Sequence, residues 1–241
     1  MVINPNPYPK IKAPKASQVV QGFKPQPEAQ ALLKPDHTPA QYLDVLEKNN
    51  LSEDAVKTMA HGMPERESVW YACQSSQRVA GKLPPSDKAA LGAAESWVKN
   101  PTPATRAQAA SAAAKTDFNS PGGWAAQAAA FSTTTPGVPA APVVPGVNPA
   151  SLTPQAASGS VLLAAAMENN AKIPKVPSPN LPAMPEVPSI NKPAVPKLPA
   201  IPATPTPAPG MTAKQLADSA KVHQPYLDLG KDIASGRNSW A

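Results

Sequence analysis

Proline placement constrains this chain more than any other feature. Of 241 residues, 34 are proline, about three times ordinary usage. Each one removes a backbone donor and fixes φ, so a proline-dense stretch can join neither a helix interior nor a central strand. The prolines cluster, so a single compact domain of the full length is excluded. One folded part with proline-rich appendages is expected. Residues 179–188 and 193–205 carry proline at every third position, including Pro193, Pro196 and Pro199. That period matches the three-residue turn of polyproline II and lines the rings along one edge. The stretch reads as a spacer, as a ligand for an aromatic groove in a partner, or as a strap on its own protein.

Between the clusters the text turns helical. Thr38-Pro39-Ala40-Gln41 is a cap, a first-turn proline and a capping-box glutamine. Tyr42, Leu43 and Leu46 follow on one face, and Asn49-Asn50 end it. Ser52 opens a second helix with Glu53 and Asp54 at its positive end, closed by Gly62. Pro64 opens a third, which delivers Val69, Trp70, Cys73 and Gln77 at helical spacing and stops at Gly81. Ser86 caps a fourth, with Leu91, Ala94 and Val98 on one face and Trp97 at its edge. Thr102-Pro103 and Ser120-Pro121 start a fifth and a sixth, the sixth with Trp124, Ala128 and Phe131 one turn apart. Alanine-rich helices let backbones approach to about 8 Å. The expected core is therefore Val69, Trp70, Cys73, Leu91, Trp97, Trp124 and Phe131.

These signals give an all-α protein: a compact antiparallel bundle of about six helices over 38–132. A proline-rich arm at 1–37 precedes it, expected to be disordered, with Val19, Val20 and Phe23 as the residues through which it would dock. A linker at 133–152 leads to a helix at 153–171 that starts on Thr153-Pro154. A polyproline-type tether at 172–210 follows, then a terminal helical segment at 211–241, expected to break at Pro225. Tyr226, Leu227, Leu229, Ile233 and Trp240 give that segment an apolar face, for a partner or for the bundle itself.

Charge and cysteine content narrow the function classes. The net charge is +6, but the bundle is neutral and the excess sits in the appendages. No specific nucleic-acid surface is expected, since such domains concentrate charge on a folded face. The start has no apolar h-region and the longest apolar run, Val161 to Met167, is too short for a membrane span. One cysteine fits a reducing compartment, so the expected location is cytoplasmic, with export by a route that needs no cleavable signal left open. The histidines and the cysteine show no metal-ligand spacing, so no cofactor is expected. Cys73 with His61 would be the only nucleophile and base pairing, yet Cys73 shares the Trp70 face and reads as a core residue. Glu65, Arg66 and Glu67 read as first-turn charges.

The run Pro64-x-Arg66-Glu67-x-Val69-Trp70-aromatic-Ala72-Cys73, with Ala90 to Val98 and the Arg106-x-x-Ala segment, resembles a bacterial family of uncharacterised helical domains. Glu65 departs from it where a basic residue is expected, and Tyr71 where tryptophan is usual. Members of that family tend to lie beside genes of the type VI secretion system. The resemblance implies an accessory part in effector loading and transfers no reaction. The expected function is a non-enzymatic adaptor that holds a protein partner, an effector or spike component. A secreted effector with an unread active site, and a general scaffold for acidic partners, are the competing classes.

Overall fold

A computed structural model describes residues 6–136, 148–169 and 213–240. The protein is all-α; among the described residues there are ten α-helices, a 3-10 turn at Ala80–Lys82, and no strand. In chain order the helices are α1 (Ala16–Val20), α2 (Pro27–Leu32), α3 (Pro39–Lys48), α4 (Ser52–Gly62), α5 (Glu65–Arg78), α6 (Pro85–Lys99), α7 (Pro103–Ala113), α8 (Pro121–Phe131), α9 (Pro149–Glu168) and α10 (Ala213–Ser235). The Pro193, Pro196 and Pro199 positions lie outside the described residues.

Two helix starts follow the sequence chemistry closely. Thr38 and Thr102 each accept the N–H three residues on, and Gln41 and Thr105 return the bond to the cap N–H. Asn50 then ends α3 in the left-handed region at φ 59, a conformation asparagine tolerates. Other starts differ. Ser120 makes no cap bond and its buried hydroxyl has no partner. Asp87 on α6 takes over, accepting the Gly123 N–H at 2.9 Å. Gly122 permits this approach, since a Cβ there would meet the Asp87 carbonyl oxygen at 2.4 Å.

α9 departs from its expected start. Thr153-Pro154 does not start this helix; Asn148 caps it, and Pro154 lies inside. The N–H that Pro154 lacks would have paired with the carbonyl of Ala150, which is exposed, so water can serve that oxygen. α9 is not an outlying element but the centre of the molecule, packed against α4, α5, α8 and α10. Its Ala156, Ala157, Gly159, Ser160, Val161, Ala164 and Ala165 are all buried. A helix buried on most sides shows no single apolar stripe, which is why its role is invisible in the periodicity.

The arm is also ordered and packed. Ile11, Ala16, Val20 and Ala29 are buried in the common core, and Val19 is buried as well. Tyr42 on α3 donates its hydroxyl to the Ala29 carbonyl at 2.9 Å, and burial pushes that phenol up to about 12. Ile11 lies on Gly62, where an added Cβ would stand 3.2 Å from it. Lastly, α10 runs unbroken through Pro225. Pro225 and Lys221, whose carbonyl loses its partner, are both exposed, so the usual penalty of a mid-helix proline is eased by solvent.

The expected core residues Val69, Trp70, Cys73, Leu91, Trp97, Trp124 and Phe131 are all buried. Each of the three tryptophans also finds an acceptor for its indole N–H, as a buried indole requires. Trp70 donates to Asn238, Trp97 to Thr135 and Trp124 to the Phe118 carbonyl.

Candidate functional site

The first turn of α5 places three consecutive charges beside three separate parts of the chain. Glu65 receives the Ser132, Thr133 and Thr134 hydroxyls and the Thr133 and Thr134 N–H groups, at 2.7–3.1 Å. Arg66 donates to the carbonyls of Val98 and Lys99 at the end of α6, and its guanidinium stacks 4.2 Å from the Trp240 ring centre. Glu67 pairs with Lys10 of the arm at 2.9 Å. These are tertiary contacts, and the helix-dipole reading of the same residues describes only part of their role. Glu65, the departure from the resembled pattern, is the acceptor that fixes the turn after α8.

A second feature also involves α5. α4, α5 and α9 together form a groove, and α10 fills it. Tyr226, Leu227, Ile233 and Ala234 are buried there, while Leu229 and Trp240 are partly buried against the same core. Of the residues expected to meet a partner, Tyr226, Leu227 and Ile233 are therefore spent inside the molecule. The apolar face of a terminal helix is legible in sequence; which surface receives it is not, because the receiving groove is assembled from three distant segments.

The groove is selective in shape and charge. A Cβ at Gly230 would lie 2.8 Å from Met59 Cγ and 3.0 Å from Tyr71 Cζ, so the helix seats only with glycine at that contact. The Tyr226 hydroxyl donates to Glu168 at 2.6 Å, and Arg78 pairs with the same carboxylate at 3.1 Å while lying over the Tyr226 ring. Burial, and then the Glu168 bond, pushes the Tyr226 phenol up; the same bond holds Glu168 below the usual carboxylate range. Lys231 reaches Glu47 at 2.7 Å. Burial lowers the Lys231 pKa, but the hydrogen bond and charge of Glu47 outweigh it and leave it raised. The arm closes over the end of this helix: the Lys10 N–H donates to the Ala234 carbonyl, and the Lys10 ammonium lies 5.9 Å from the Trp240 ring centre.

The residues weighed for chemistry stand elsewhere. Cys73 is fully buried, and burial pushes its thiol well up, so it holds little thiolate. His61 sits at the end of α4 beneath α1, its ring 5.0 Å from that of Phe23, with no partner on Nε2. Burial, with Lys57 nearby, pushes its imidazole down to about 3. Among the described residues no group of three or more histidine, cysteine or acidic side chains is placed to hold a metal ion, and no helix is long and apolar enough to cross a membrane.

The sequence profile of a family of unknown function, DUF6931, matches residues 42–177. The matched span takes in α9 and leaves α1, α2 and α10 outside. No curated protein and no solved structure matches the chain.

Proposed function

The chain belongs to DUF6931, a family of unknown function, and from its own surfaces we propose that it is a non-enzymatic adaptor that holds a protein partner by helix-in-groove contact. The observation that carries this reading is α10 itself. Residues 170–212 separate it from α9, yet it is gripped by a groove built within the family domain. The domain thus already performs, on its own chain, the kind of contact an adaptor makes with another. Support also comes from the nucleophile and base candidates: Cys73 is fully buried, and the Nε2 of the partly exposed His61 is closed off without a partner.

The partner we propose is an effector or spike component of a type VI secretion apparatus, with the adaptor acting from the cytoplasm. This part rests on the motifs at 64–73 and 90–98 and their resemblance to a family found beside such genes. Affinity purification of the tagged full chain from its native cell, followed by mass spectrometry, tests both parts. Recovery of a secretion component is the expected result. A partner-free protein would remove the adaptor reading, and a partner unrelated to secretion would remove the assignment to that apparatus.

A further inference from the structure

We propose that α10 is a replaceable occupant of the α4–α5–α9 groove, and that the incoming ligand is a partner's helix of matching pattern. That pattern is an aromatic residue and a leucine, glycine three residues after the leucine, lysine next, and a β-branched residue two further on. The inference rests on the adaptor reading and names the partner's chemistry and the regulation of its site.

The pattern is what the groove demands. Gly230 is the register mark, because Met59 and Tyr71 leave no room for a side chain. Leu227 and Ile233, three residues to either side, fill the apolar floor. Two carboxylates on the body, Glu168 and Glu47, call for a hydroxyl before the glycine and a cation after it, as Tyr226 and Lys231 supply. A ligand lacking the lysine would leave the Glu47 carboxylate without its ion-pair partner, which is costly in a mostly buried place.

Three observations make α10 displaceable. Two buried polar atoms are left unpaired, Glu47 Oε1 on neighbouring α3 and the Tyr71 hydroxyl on α5, so α10 is not the best ligand this surface could have. Its end is secured partly from outside the family domain, by the Lys10–Ala234 backbone bond, and partly from within it, by Arg66 stacked on Trp240 and Trp70 bonded to Asn238. The Arg66–Trp240 stack joins two half-exposed groups, and such a contact forms and breaks cheaply, whereas the Lys10 N–H reaches a buried Ala234. Lastly, residues 170–212 put 43 positions of chain between the described end of α9 and the start of α10. A longer connection also lowers the effective concentration of the cis helix. Arm and terminal helix therefore act as one clasp: loosening Lys10 loosens α10.

The test uses the full chain with a protease site inserted after Pro188, and a fluorescent peptide of residues 211–241 as the probe. After cutting, the released α10 fragment should stay with the body on a sizing column. Excess probe should then replace it, read as a rise in anisotropy, while a probe carrying Gly230→Leu should not enter. Lys10→Ala in the body keeps the backbone bond but removes the Glu67 pair and the cation beside Trp240 that hold the arm over this end, and should speed the replacement by about tenfold, a change of about 1.4 kcal/mol in the barrier. The uncut chain carrying Gly230→Leu, with its own helix unable to seat, should bind the wild-type probe at least tenfold more tightly than the uncut wild type does. Exclusion of the wild-type probe from both proteins, or equal entry of the Gly230→Leu probe, would overturn the proposal. A dimer in light scattering that vanishes with Gly230→Leu would assign the incoming helix to a second copy and overturn the partner assignment. Exchange without any captured partner would remove the adaptor reading and leave the exchangeable groove standing; capture without exchange would do the reverse.

Discussion

Replacing Glu65 separates a local role from a tertiary one. If its carboxylate only complements the dipole of α5, losing it costs about 0.3–1 kcal/mol, and glutamine and alanine behave alike. The structure gives a different expectation. Four donors converge on Oε2, from Ser132, Thr133 and Thr134, and the Thr133 hydroxyl binds Oε1. Hydrogen bonds to a charged group contribute about 1.5–3 kcal/mol when taken singly. Five on one half-buried carboxylate do not add, so Glu65→Ala should cost about 3 kcal/mol. Glu65→Gln keeps one oxygen at the crowded position and should cost about 1 kcal/mol. The turn also carries Thr135, which receives the Trp97 indole, and Arg106 lies close enough to feel the Glu65 charge. Chemical denaturation followed by circular dichroism reads the difference. An alanine variant within about 0.5 kcal/mol of wild type, or two variants of equal stability, would refute the clamp.

Other outcomes follow from the same structure. Trp70→Ala should lower stability by about 3–5 kcal/mol and free Asn238, seen as faster amide exchange in residues 236–240; an unchanged melting temperature contradicts it. His61 is held neutral with its pKa at about 3, against about 6.5 in an unfolded chain. As pH falls through that window the unfolded state takes up a proton the fold excludes, so stability falls by up to about 1.4 kcal/mol per pH unit. Glu53 and Asp54, raised chiefly by burial, act with the opposite sign and offset part of it. His61→Gln should flatten the acid limb of a stability–pH profile. Gly122→Val should cost about 2 kcal/mol or more by driving α8 off the Asp87 carbonyl, measurable as a drop in the denaturation midpoint.

What could be read from sequence divides along a physical line. Starts at Thr38 and Thr102 were legible because the capping hydroxyl, the proline after it and the residue three positions on all lie within one turn. Ser120 and Thr153 carry the same hydroxyl-proline signature, yet neither caps: Asp87 replaces one from a distant helix, and Asn148 pre-empts the other. α1 and α2 were not legible, since five or six residues show no periodicity and their order comes from Gly22, Ile11 and Ala29 meeting α4 and α3. The apolar face of α10 was visible and its docking surface was not. The reach of Glu65, Arg66 and Glu67 to three distant segments has no local signal at all, although the unexpected acid at 65 marked the place.

The position of α9 has a consequence for how the molecule is made. Ribosomes extend a chain by about 5–20 residues each second. The helices from α4 to α8 are complete about 2–7 s before the segment that must lie among them has been synthesised. During that wait the inner faces of α4, α5 and α8 stand open to water and to neighbours. A released chain ending at residue 147 should therefore bind chaperones more strongly than one ending at residue 169, in which only the surface that α10 covers is still open.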